Sequence, residues 1–139
     1  QLLQGHRMKQ RILRVLPKLA FFVILLVLCF AGMRGEPVPQ VFENQDKLHH
    51  WAGFFCLTVS AFLAFPRTRL IWLLLWPLVG SMLIELEQSL LPLRTASLGD
   101  MMANALGVLC GVVVILAWRG YQGMRLKKAS SRITSPDVS

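Results

Sequence analysis

Apolar residues in this chain come in unbroken blocks rather than in the interleaved 3.6- or 2-residue periods of a water-soluble domain. Residues 71–84 and 101–118 carry no charged side chain, nor does the stretch 19–33, and the only ionisable groups within 48–65 apart from Cys56 are His49 and His50. Such lengths approach the roughly 20 residues that a helix needs to cross a hydrocarbon layer about 30 Å thick. The pattern predicts four spans, over 19–33, 48–65, 70–86 and 100–118, and so an all-α integral membrane four-helix bundle. A basic tail, 1–18, precedes the 19–118 transmembrane domain. A basic, Ser-rich tail, 119–139, follows it, and the stretch 129–139 is expected to be flexible.

Composition agrees. Of 139 residues, 55% are apolar and 16% charged, which argues against a soluble enzyme, a disulfide scaffold and a disordered chain. Cys29, Cys56 and Cys110 each lie inside an apolar block, with no CxxC spacing, and read as packing residues. The first block has the basic flank of a secretory signal but a poor cleavage context, so it reads as an uncleaved span. Gln1 stands where an initiating Met would, so the native chain is expected to begin further upstream.

Charge orients the bundle. Arg7, Lys9, Arg11, Arg14 and Lys18 precede the first block, Arg67 and Arg69 follow the second, and Arg119, Arg125, Lys127, Lys128 and Arg132 follow the fourth. Only Asp137 opposes them. The other two connections hold Arg34, Lys47 and Arg94 against Glu36, Glu43, Asp46, Glu85, Glu87 and Asp100. Basic loops mark the cytoplasmic side, so both termini are expected in the cytoplasm and the chain in a bacterial inner membrane. The net charge of +8 then serves anionic membrane lipids, and no nucleic-acid partner is expected.

The ionisable residues at the span ends share one depth. At 1.5 Å per residue, His50 and Glu85 each lie about 23 Å from the basic ends of their spans, and Asp100 about 27 Å. Helical spacing puts Asp46, His50, Gly53 and Ser60 on one face of the second span, and Pro77, Ser81, Glu85 and Gln88 on one face of the third. Asp100, Asn104, Gly107 and Gly111 share a face of the fourth, where Gly99, Ala103, Gly107 and Gly111 form a small-xxx-small series suited to close helix packing in lipid. Polar groups at such depth should face one another. Glu87 should point outward, and Pro77 should kink its span.

The ordered set Asp46-Lys47-x-x-His50, Glu85-x-x-Gln88, Pro92-Leu93-Arg94 and Asp100-x-x-x-Asn104-x-x-Gly107-x-x-x-Gly111 resembles the VanZ-like family. These are small bacterial membrane proteins named for a teicoplanin-resistance accessory protein. The resemblance runs from about 41 to 114. Two departures are the doubled His49-His50, where spacing from Asp46 selects His50, and the absence of the glycine that often precedes the arginine. The resemblance implies a cell-envelope role with a bearing on glycopeptide susceptibility.

Three readings of the cluster stay open. As a binding pocket, Asp46, Lys47, His50, Glu85, Gln88, Arg94, Asp100 and Asn104 would hold a lipid headgroup, a lipid-linked envelope precursor or a segment of another membrane protein. As an enzyme acting on a lipid-linked phosphate, it would use His50 as acid or base, Asp46 to orient the ring and Glu85 as a further carboxylate. As architecture, it would be an ion-pair lock. His50 with Asp46, Glu85 and Asp100 offers mixed N/O ligands, but the spacing is not diagnostic, and no metal or cofactor is assigned.

Overall fold

A computed structural model of the chain describes residues 2–34, 39–93, 95 and 97–134. Among these residues it forms four helices and no strand: α1 (Leu2–Met33), α2 (Gln45–Ala64), α3 (Leu70–Ser89) and α4 (Leu98–Thr134). At 20 residues each, α2 and α3 are about 30 Å long, the thickness of a hydrocarbon core. The α1, α3 and α4 helices are long and apolar enough to cross a membrane. Large apolar side chains such as Phe30, Leu83 and Val113 stay more than half exposed on the outer faces, which suits a chain solvated by lipid rather than by water.

Contacts between helices give an up-down-up-down order. Leu28, near the end of α1, packs onto Gly53, near the start of α2, while Phe21 meets Phe65 and Trp76 edge-on at 5.7 Å each. The α1 and α2 helices therefore run antiparallel. Gly107 of α4 faces Trp51 and Phe55 of α2, Gly111 faces Thr58, and the Arg119 guanidinium lies 5.1 Å over the Phe62 ring, so α2 and α4 run parallel. The start of α1, the 66–69 connection and the far end of α4 share one end of the molecule. Arg119 fastens that end by donating from Nη2 to the Thr68 carbonyl oxygen at 3.2 Å.

The α2–α4 seam is the tightest. A Cβ at Gly107 would collide with the carbonyl oxygen of Trp51, a backbone atom that cannot swing aside. A Cβ at Gly111 would lie 2.9 Å from Thr58 Cβ. Thr58 can occupy this dry seam because its hydroxyl donates to the Phe54 carbonyl oxygen at 2.8 Å, leaving its methyl for packing. Leu57, Leu73, Val108 and Ile115 fill the buried core around it.

Three expectations need correction. The α2 helix does not reach the apolarity of the other three, because Gln45, Asp46, Lys47, His49 and His50 occupy its first turn and a half. The amino-terminal tail is not separate from the first span: α1 begins at Leu2 and runs through Pro17. The α4 helix continues to Thr134, so 129–134 is helical rather than flexible; 135–139 lies outside the described residues. Both extensions are rich in Arg and Lys, residues that hold helix without tertiary support better than most.

Candidate functional site

At the end of the bundle away from Arg119, the end of α3 meets the beginnings of α2 and α4. The buried face of α3 is Leu73, Pro77, Ser81, Glu85 and Gln88, the stripe expected from spacing. Glu87 is exposed. Gln88 donates from Nε2 to the Gly32 carbonyl oxygen at 3.2 Å and so satisfies an acceptor at the end of α1 that has no partner within its own helix. Ser97 precedes α4, and the Asp100 amide donates to its Oγ at 3.4 Å, a capping contact that sets Asp100 in the first turn. A carboxylate there is stabilised by the positive end of the helix dipole.

One chain of hydrogen bonds links three helices. Asn104, fully buried, donates from Nδ2 to Ser81 Oγ at 3.3 Å, and its Oδ1 lies 2.9 Å from His50 Nδ1. In this arrangement His50 Nδ1 donates to Asn104 Oδ1, and Nε2 faces away from Asn104. Nε2 lies 3.9 Å from Asp100 Oδ2, beyond hydrogen-bond range. Glu85, 3% exposed, accepts the Ser97 amide at Oε2, at 3.4 Å. One ligand atom from each of His50, Glu85 and Asp100 falls within 4.8 Å of the other two. Asp100 Oδ1 is buried and has no hydrogen-bond partner among the described residues.

Beside this cluster opens a cavity of about 440 Å³. Leu28, Phe54 and Ile84 supply its apolar wall, and Asp46, His50, Gln88 and Asp100 its polar rim. Sequence spacing brought His50, Glu85, Gln88, Asp100 and Asn104 to one place, and the structure does the same. His50 is largely enclosed and His49 exposed, in keeping with the choice between them. The ring is not oriented as expected, however. Asn104 holds it, while Asp46 lies 3.9 Å from Lys47 Nζ, which also donates to Asn44 Oδ1 at 3.1 Å. A neighbour one turn away on the same helix lost to a side chain that α4 inserts between helices. Arg94 lies outside the described residues, but its chain neighbours Leu93 and Thr95 both line the cavity.

Gly99, Gly107 and Gly111 of the small-residue series meet α2. Gly99 lies against the Lys47 side chain, and Ala103 is buried. Spacing alone did not disclose the part played by α1, whose Leu28, Ala31 and Gly32 line the cavity. The small pair Ala31-Gly32 closing the first apolar block was the available signal. The Ser97 amide was also missed, since its role depends on where the chain turns into α4.

A family model described as VanZ/LLP1 matches residues 3–119. That stretch takes in all of α2 and α3, most of α1 and every residue of the cluster. No curated protein and no solved structure matches the chain.

Proposed function

The chain belongs to the VanZ/LLP1 family, and from that membership and the cavity we propose an envelope accessory that binds the anionic headgroup of a lipid or lipid-linked precursor. The carrying observation is the composition of the cavity. Its polar rim stands over an apolar wall of Leu28, Phe54 and Ile84, which fits an amphiphile with its head at the rim and its chain along the bundle. The charge asymmetry supports an orientation with this end at the outer leaflet of the inner membrane and both termini in the cytoplasm. Arg94, between the cavity-lining Leu93 and Thr95, would supply positive charge for the headgroup, with Lys47 of α2 reaching in from its present hold on Asn44. By family resemblance, the phenotype to follow is susceptibility to teicoplanin-type glycopeptides.

Native mass spectrometry of the detergent-purified chain tests the reading, with phosphatidylglycerol and a polyprenyl phosphate offered in turn. Wild type should retain one of them at a single site. Ile84→Trp, which fills the cavity from its apolar wall, should retain at least tenfold less. Equal retention by both proteins would remove the cavity as the binding place.

The placement of His50, with Nδ1 on Asn104 and Nε2 left clear of it, favours a second reading, a membrane enzyme in which Nε2 takes or gives a proton at a lipid-linked phosphate. Release of inorganic phosphate from the polyprenyl substrate, abolished in folded His50→Gln, would select it over binding alone.

A further inference from the structure

We propose that His50, Glu85 and Asp100 form a binding site for one divalent first-row cation, with its remaining coordination positions open to the cavity. Their ligand atoms come from three helices and lie within 4.8 Å of one another. Donor atoms around an ion at about 2.1 Å are roughly 3 to 4.2 Å apart, so the 3.9 Å between His50 Nε2 and Asp100 Oδ2 already suits a shared ion. It is too long for a hydrogen bond between them.

Two further observations point to a ligand here. The first is the hold on the histidine. A metal-ligating imidazole characteristically donates its second ring N–H to an oxygen acceptor, which fixes the tautomer and turns the lone pair toward the metal. Asn104 Oδ1 is that acceptor at 2.9 Å, and Asn104 is itself anchored to Ser81 in the buried interior. The second is Asp100 Oδ1, a buried oxygen without a hydrogen-bond partner among the described residues. A buried carboxylate oxygen ordinarily finds a donor, and a cation held by both oxygens of Asp100 would give it a partner.

One imidazole and two carboxylates suit Zn²⁺, a borderline ion that accepts mixed N/O donors, or Mn²⁺, a harder ion that favours the carboxylates. Three protein ligands leave positions for water or for an oxygen of a bound phosphate. The cation would thus lie between the two carboxylates and an anionic headgroup. The site stands on its own ligands and extends the proposed headgroup reading, because it supplies the contact that such a headgroup would use.

The test uses the full chain purified in detergent, stripped with a chelator and titrated with Mn²⁺ and, separately, Zn²⁺. About one equivalent should bind wild type, and pulsed electron paramagnetic resonance of the Mn²⁺ form should show coupling to an imidazole nitrogen. Glu87→Gln, whose exposed carboxylate lies outside both the cluster and the cavity, should bind as wild type does. Folded His50→Gln and Asp100→Asn should each bind at least tenfold more weakly. Failure of wild type to bind either ion stoichiometrically, or bound Mn²⁺ without nitrogen coupling, would overturn the site without any variant having to fold. Lipid retention measured on the cation-loaded protein, beside the stripped one, separates the two ideas. Retained lipid with no cation binding defeats the cation site alone, whereas cation binding without lipid retention defeats the headgroup reading alone.

Discussion

Asn104 shows how one side chain can set a site's chemistry. Fully buried, it joins Ser81 of α3 to His50 of α2 from its place on α4. Asn104→Leu would leave His50 Nδ1 without its acceptor and remove both bonds, at a cost of about 1–3 kcal/mol for the group left unsatisfied. Thermal unfolding in detergent should show a lower midpoint, by several degrees, for Asn104→Leu. Arg94 calls for a different substitution. If it grips a headgroup phosphate through its planar fork, Arg94→Lys should assemble normally but retain the phosphate lipid several-fold more weakly, because an ammonium offers only a point charge. Size-exclusion profiles and native mass spectra read the two effects apart. The residues of the cluster were legible from spacing because the 3.6-residue repeat alone aligns Pro77, Ser81, Glu85 and Gln88. What spacing could not disclose was which partner each side chain takes. Asp46 sits one turn from His50 on the same helix, and only the packing of α4 shows that Asn104 holds the ring.

At the scale of elements, α4 carries the decisive pattern. Its small residues let it approach α2 until Gly107 touches the Trp51 backbone. Lipid offers no hydrophobic drive for helices to associate, so this closeness is where their attraction arises. Gly107→Leu should force the two backbones apart and yield poorly folded or aggregated protein, while Val113→Leu, on an exposed face, should express and melt as wild type does. Equal behaviour of the two in expression and thermal unfolding would show that the seam does not depend on closeness at Gly107. Helix ends were less legible than helix faces. Apolar blocks end where lipid is expected to end, whereas helices end where backbone bonding stops, and nothing at Lys18 or Arg119 stops it. The α1 and α4 helices therefore carry their basic tails as continuous helix.

For the whole molecule, the separation of charge between the two ends is the organising feature. With both termini inside, a single cysteine at Val41 or Thr95 in a background lacking Cys29, Cys56 and Cys110 should react with an impermeant thiol reagent added outside intact cells. One at Ser130 should react only after lysis. Labelling of Ser130 in intact cells would overturn the orientation. The four-helix count was legible in the apolar blocks, but the unequal apolarity of the helices was not. Within 48–65 two histidines stand in a stretch free of Asp, Glu, Lys and Arg. With Gln45, Asp46 and Lys47 added by the true start of α2, they set that helix apart from its neighbours.

That difference bears on biogenesis. During synthesis α2 leaves the ribosome before α3 and α4 do, and its polar first turns make it the weakest of the four segments to partition into lipid by itself. The α1 helix, strongly apolar and already made, is the one neighbour present to receive it, through Leu28 against Gly53. Stable lodging must then wait for α4 to bring Gly107 and Asn104 alongside. Chains halted after Ala64 should consequently hold α2 loosely and be degraded quickly, while chains extended beyond α4 should survive, so the order of translation becomes part of how the polar cluster enters the membrane.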